Sequence, residues 1–261
     1  MEKFYLSLAA GSQIKTARIL KYPNILINFM TKTNRPPKYP YELLFIDSGG
    51  FFSSMQAGHY TKTDAEYLEY IEAKNPAFFA LRDYPCETEL LKKHSRTVFE
   101  HIKMTVEHHC LLLDMLPEYN INAVPIPVIQ GWSVEDYQLC IDLFRERGLI
   151  TDYMAIGSVC RRTSIKNIRD IIVSVRDNLP AKTKLHGFGV KLTALKDLAI
   201  WNALYSVDSG AWDYVARWKK FRGEETNIPD ASLNAAVDYI AKIKRIHEKY
   251  NSQRSLCLVD A

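Results

Sequence analysis

Cysteine is scarce in this chain, and its five copies, Cys86, Cys110, Cys140, Cys160 and Cys257, form no CxxC and no even framework. That excludes a disulfide scaffold and fits a reducing compartment. No apolar run approaches the ~18 residues that a membrane span needs. The Met1-Glu2-Lys3 start has no basic-then-apolar leader pattern. Neither secretion nor membrane insertion is expected, and the expected location is cytoplasmic. No GxGxxG follows the first apolar run, and Ala10-Gly11-Ser12 is too little for a dinucleotide loop. Low-complexity segments are lacking, and so is a strong excess of either charge. The net charge of +4 permits a polyanionic partner without demanding one.

What is present suffices for a full core: 261 residues, 47% of them hydrophobic, read as a single domain over 1–261 with a flexible tail from about 251. Short β-rich runs alternate with helical patterns. Strands are expected at Phe4–Ala9, Asn24–Phe29, Glu42–Ile46, Ala77–Arg82, Ala123–Ile129, Tyr153–Ile156, Lys184–Val190 and Leu204–Val207. Helices are expected at Thr63–Lys74, Glu87–Met115, Val134–Arg147, Ile165–Asn178, Leu192–Ala203 and about Ala231–Tyr250. Thr63, Ser133 and Ser164 stand where N-caps belong. On the long second helix, Phe99, Ile102, Val106, Cys110 and Leu113 make an apolar stripe. Strands mostly followed by helices predict an α/β fold, a (β/α)8 TIM barrel, with an open doubly wound sheet as its competitor.

The C-terminal strand ends of such a barrel carry its chemistry. The third run, Leu43–Ile46, ends in Asp47-Ser48-Gly49-Gly50-Phe51, and the eighth ends in a near echo, Asp208-Ser209-Gly210-Ala211-Trp212. One such phrase is readily a turn, because Asp, Ser and Gly dominate turns. Two carboxylates at strand ends suit glycosyl transfer, where one manages protons and the other attacks a sugar carbon. The glycines would let a flat ligand approach the backbone. Between them the strand ends read Arg82-Asp83-Tyr84-Pro85-Cys86, Gln130-Gly131-Trp132, Gly157-Ser158-Val159-Cys160 and His186-Gly187-Phe188-Gly189. Acids, an amide, glycines and aromatics at one mouth suit a planar, hydrogen-bonding heterocycle.

From about Leu43 to Trp212 this ordered set resembles the guanine transglycosylases, barrel enzymes that exchange guanine for a 7-deazaguanine in nucleic acid. The resemblance implies that Asp208 is the nucleophile that holds a covalent glycosyl intermediate, with Asp47 as the acid/base. Asp83 and Gln130, with Gly131, would read the base edge, supported by Gly157, Ser158 and Val159. Ser48, Gly49 and Gly50 would complete the site, with Phe51, His186 and Gly187 against the ring. No cofactor is implied. The Cys-x-Cys-x-x-Cys…His zinc site of the tRNA-acting members is missing after Asp208, and Ser158 replaces a family glycine. The chain is therefore most similar to the DpdA-type DNA-guanine transglycosylases, which include virus-encoded members. That implies DNA and a preQ0-like base as partners, with tRNA as the alternative substrate. A non-catalytic nucleic-acid-binding subunit is the rival from another class, and a second copy or a helper protein is left open.

For the nucleic acid, Arg161, Arg162 and Lys166 open onto the same face. Arg217, Lys219, Lys220 and Arg222, interleaved with Trp218 and Phe221, supply charge and stacking surfaces. The same stretch also reads as a solvated helix end with its aromatics packed inward. His101, His108, His109 and Cys110 lie mid-helix without a well-spaced further ligand, which favours a structural role.

Overall fold

The structure, a computed structural model, describes residues 1–31, 35–214, 218, 221–223 and 228–257. Strand β1 (Lys3–Leu8) leads through α1 (Gly11–Leu20) to β2 (Asn24–Asn28) and β3 (Leu43–Asp47). Helices α2 (Gly50–Ala57) and α3 (Asp64–Lys74) precede β4 (Phe78–Ala80), and α4 (Thr88–Lys93) and α5 (Val98–Met115) follow it. Next come β5 (Val124–Ile126), β6 (Val128–Ile129), α6 (Val134–Glu146), β7 (Tyr153–Ile156) and α7 (Ile165–Asp177). The chain ends with β8 (Lys184–Gly187), α8 (Leu198–Ala203), β9 (Ser206–Ser209) and α9 (Ile228–Cys257).

All strand pairs are parallel, in the order β5-β4-β3-β2-β1-β9-β8-β7-β6. The two ends of that order, β5 and β6, are separated in the chain by Pro127 alone, which has no N–H for the ladder. The Ile126 carbonyl accepts from Leu81 N–H at 2.9 Å, and the Pro127 carbonyl accepts from Ala155 N–H at 2.8 Å. The sheet thus curls into a nearly closed, nine-strand parallel barrel-like sheet with helices around it. A doubly wound open sheet does not fit this order.

Alternate strand residues face opposite ways, and two apolar clusters follow from that period. Phe4, Leu6, Ile25, Ile27, Leu44, Ile46, Met154, Ile156 and Val207 join the larger cluster with the helices. Tyr5, Leu26, Phe45, Ala80, Ile126, Val128, Tyr153 and Ala155 fill the interior. Phe45 is central there, with its ring 5.7 Å from Tyr5, 4.9 Å from His186 and 5.6 Å from Phe188.

Thr63, Ser133 and Ser164 cap α3, α6 and α7 as their positions suggest, accepting from Glu66, Asp136 and Asn167 N–H. Four features differ from expectation. The helix expected over Glu87–Met115 is two helices, because Ser95 turns left-handed (φ 51°) and Thr97 with Glu100 forms a capping box that restarts the chain. Phe99 faces solvent, and the stripe buried on α5 is His101, Ile102, Thr105, Val106, His109 and Leu112. The stretch expected as a helix over Leu192–Ala203 is a 3-10 turn, Ala194–Lys196, followed by α8, which Asp197 caps. Helices α1 and α2 were not anticipated, and α9 runs on to Cys257. Among the described residues no helix is long and apolar enough to cross a membrane.

Phe45→Ala empties the middle of the interior. It is expected to cost about 3–5 kcal/mol of unfolding free energy. Urea denaturation measures this, and a cost under ~1 kcal/mol would mean that the interior is not packed as described.

Candidate active site

Period-two alternation places both acids of the repeated phrase inside the barrel mouth: Asp47 follows inward-facing Phe45, and Asp208 follows Ser206. Asp47 Oδ2 accepts from Asn28 Nδ2 at 2.6 Å and Oδ1 from Gly49 N–H at 3.2 Å. Asn28 cannot turn its amide around, because its Oδ1 accepts from Met30 N–H at 2.9 Å. Asp208 Oδ1 accepts from Gly189 N–H at 2.7 Å. Asp47 and Asp208 line one cavity of about 200 Å³, together with Phe51, Asp83, Glu87, Gln130, Ser158 and Phe188. That is below the ~300–1,000 Å³ of drug-sized ligand sites and suits a single heterocyclic base.

Asp83 forms the polar floor. Its Oδ1 accepts from Ser48 Oγ at 3.0 Å and its Oδ2 from Gln130 Nε2 at 2.5 Å. The Tyr60 hydroxyl grips its backbone, donating to Asp83 C=O at 2.9 Å and accepting from Asp83 N–H at 3.0 Å. Arg82, fully buried, braces the same strand end through Asp64 and the Lys62 carbonyl. Two glycines are required here for packing more than for ligand approach. A Cβ on Gly50 would stand 2.6 Å from the Asp83 carbonyl oxygen, and one on Gly157 would strike the Gln130 amide. Gly49 is left-handed (φ 79°), and its Cβ would strike Met30.

Ser158 is also left-handed (φ 54°), although it bears a side chain. Its hydroxyl lies 2.7 Å from Gln130 Oε1 and 3.0 Å from Glu87 Oε2 and accepts from Cys86 N–H at 2.8 Å. The sequence marks Glu87 only as a helix start, places Phe188 at a strand end without a role, and gives no signal for Tyr60 or Asn28. The available signal for Glu87 was an acid on the same strand-end loop as Asp83.

Several expected ligand contacts lie elsewhere. His186 does not face a ring in the cavity. It is fully buried in the barrel interior, with Nδ1 2.7 Å from Ser206 Oγ and Nε2 3.5 Å from Asp208 Oδ1. Phe188, two residues on, lines the cavity instead. Gly131 packs against α6, where a Cβ would strike Tyr137, and Gly187 packs against Val190 and Leu204. Val159 is buried in the larger apolar cluster. Ser48 acts through Asp83 rather than from the wall.

Arg162 is not available to a phosphate. It is 9% exposed, donates to the Ser158 and Trp132 carbonyls and covers the Trp132 ring at 4.1 Å. Arg161 is half-exposed, lies 5.3 Å from the Phe51 ring centroid and pairs with Glu89 at 3.4 Å. Lys166 pairs with Asp170 along α7. Arg217, Lys219 and Lys220 lie outside the described residues, and Arg222 is exposed. Trp218 and Phe221 do not pack inward: they are 44% and 82% exposed, in an edge-to-face series with Tyr214.

The Cys86 thiol is pushed well up by burial, and that of Cys160, in the cavity wall, to about 12, so neither offers a thiolate. His108 bonds Asp64 and Tyr84, and His101 bonds the Pro85 carbonyl. Among the described residues no group of three or more His, Cys, Asp or Glu could hold a metal ion.

A family model described as DpdA, DeoxyPurine in DNA protein A, matches residues 1–255. The chain belongs to the DpdA family. Membership implies a role in 7-deazaguanine modification of DNA. No curated protein matches the chain significantly.

In this DpdA chain, burial pushes the Asp47 carboxyl up to about 7, with the Asp83 charge adding to it against the Gly49 N–H and Asn28. Burial raises Asp83 to about 6, opposed by Ser48 and Gln130. A carboxyl whose pKa is higher folded than unfolded takes up a proton on folding. Its contribution therefore favours the fold at low pH and is lost as pH rises through the folded value. Between about pH 5 and about pH 8, the stability difference between wild type and Asp47→Asn is expected to shift by roughly 2–4 kcal/mol in the variant's favour. Urea midpoints across that range test this, and parallel curves would refute it.

Proposed function

We propose that the chain is a DNA-guanine transglycosylase that replaces guanine in DNA by a preQ0-like 7-deazaguanine through an aspartyl-glycosyl intermediate. The observation that carries the reading is that Asp47 and Asp208 share one base-sized cavity with Asp83 and Gln130. The family match supports the DNA substrate. In this reading β5 and β6 are one barrel strand broken at Pro127, and the sheet is a (β/α)8 barrel.

The Asp208 carboxylate attacks C1′ of the target deoxynucleotide, and the C1′–N9 bond breaks. The departing guanine takes a proton from Asp47, whose pKa of about 7 suits transfer in both directions at neutral pH. The incoming 7-deazaguanine gives its N9 proton to Asp47, and its nitrogen displaces Asp208 from C1′. Two inversions leave the configuration retained. Asp83 accepts from the donor edge of the base, and Phe51 and Phe188 bound it with apolar surface. A duplex hides the glycosidic bond, so the nucleotide must be turned out of the stack or met single-stranded. Arg161 and the exposed Tyr214, Trp218 and Phe221 would guide the strand to the mouth.

The test offers labelled guanine with DNA or tRNA to the full chain. Incorporation into DNA supports the reading, and incorporation into tRNA alone would move it to the other substrate. Asp208→Asn is expected to abolish exchange and the denaturant-resistant DNA adduct without loss of fold. Full activity in that variant would remove the mechanism. Asp47→Ala is expected to slow exchange by about 10²–10⁴-fold. An equal loss of DNA affinity would instead make Asp47 structural.

A further inference from the structure

Hydrogen-bond counting across the cavity floor exposes a missing proton. Asp83, Gln130, Ser158 and Glu87 form a file: Gln130 Nε2 to Asp83 Oδ2 at 2.5 Å, Ser158 Oγ to Gln130 Oε1 at 2.7 Å, and Ser158 Oγ to Glu87 Oε2 at 3.0 Å. A carboxylate only accepts, a Gln amide donates from nitrogen alone, and a Ser hydroxyl has one proton. With both carboxyls ionised, the file has three links and donors for two. Ser158 is also held left-handed, a conformation that a side chain makes unfavourable and that persists only where the surroundings fix it. Its hydroxyl, at the centre of the file, is what a glycine there would not supply.

We propose that Glu87 is a further residue of the base site, sharing one proton with Asp83 through Ser158 and Gln130, and that this proton fixes which edge of a heterocycle the floor accepts. The inference rests on the base-exchange reading for its ligand. At rest Glu87 holds the proton and donates to Ser158 Oγ, Ser158 donates to Gln130 Oε1, and Gln130 Nε2 donates to Asp83. Asp83, which also accepts from Ser48, is left ionised and presents only acceptors, the match for an amide N–H beside an exocyclic amine. Moving the proton to Asp83 would require the Gln130 amide to turn so that its Oε1 accepts from Asp83, and would leave Asp83 a neutral carboxyl, a weaker acceptor for that edge.

The groups facing Glu87 agree with this state. Asp83 and Cys86 share its loop, Cys160 and Arg162 approach from the loop after β7, and Tyr137 approaches from α6. Burial raises the Glu87 carboxyl and the Asp83 charge adds to that, while Ser158 and Arg162 oppose it. Arg162 is held over Trp132 and donates to backbone carbonyls, so it does not form a close pair with Glu87. Gln130 can reach Asp83 and Ser158 at once because Gly157 leaves room for its amide.

Calorimetric binding of free guanine to the full chain provides the test. Glu87→Gln keeps a donor toward Ser158, so its affinity is expected within about threefold of wild type, whereas Glu87→Leu is expected to lose about tenfold or more. Wild-type affinity should fall on the alkaline side as Glu87 ionises, and Glu87→Gln should lack that fall. Ser158→Gly relieves the backbone and deletes the central hydroxyl. It should be at least as stable as wild type by urea denaturation and yet bind guanine about tenfold more weakly. Glu87→Gln binding as weakly as Glu87→Leu, or Ser158→Gly binding like wild type, would overturn the proposal. Carboxyl ¹³C NMR of the ligand-free chain reads the proton without any substrate. The resonance lost in Glu87→Gln should be protonated at neutral pH and should titrate lower in Asp83→Asn. An ordinary Glu titration, unchanged in Asp83→Asn, would refute the shared proton. Should wild type bind no guanine, the base-exchange reading fails, and the NMR alone decides the proton.

Discussion

Four carboxyls in one hollow set the terms for everything around them. Asp47, Asp83, Glu87 and Asp208 line the same cavity, where like charges repel and water is partly excluded. Three are matched by specific donors, Asn28 and the Gly49 N–H for Asp47, Ser48 and Gln130 for Asp83, and the Gly189 N–H for Asp208, while Glu87 meets the Ser158 hydroxyl. These donors come from the ends of several strands, so the arrangement exists only when the sheet curls. Arg82 and Tyr60, outside the cavity, hold the Asp83 strand end in place against that repulsion.

Much of this was legible because strand alternation and motif order are local properties. The strand positions came within a residue or two for most strands, and the Asp47 and Asp208 phrases marked strand ends. Reach across the barrel is not local. Nothing near Glu87 in the chain announces that Ser158, 71 residues away, will meet it, or that Ser158 will also meet Gln130, 28 residues away. The helix α2 escaped notice because Gly49 and Gly50 look like a loop, whereas they admit a helix start against Met30 and Asp83.

Residue type also proved a weaker guide than side-chain direction. His186 has the chemistry of a stacking ring, but strand alternation turns it into the interior beneath Asp208, and Phe188 reaches the cavity. Arg161 and Arg162 are neighbours with opposite fates. One lies over Phe51 at the mouth, while the other is consumed by two carbonyls and an indole. The glycines follow the same logic: at Gly50 and Gly157 the missing side chain makes room for protein atoms.

Strand order carries a last consequence. From β9 to β3 the sheet passes through β1 and β2, three steps of ~4.8 Å or ~14 Å of arc. Asp208 and Asp47 therefore approach a guest from different quarters of the rim. If base exchange is the activity, the hollow would work as a gauge for length: a sugar without its base, or a base without its sugar, would touch only one quarter. Seating of the purine and alignment of the anomeric carbon would then be one event, and discrimination among bases would reach the bond-making step.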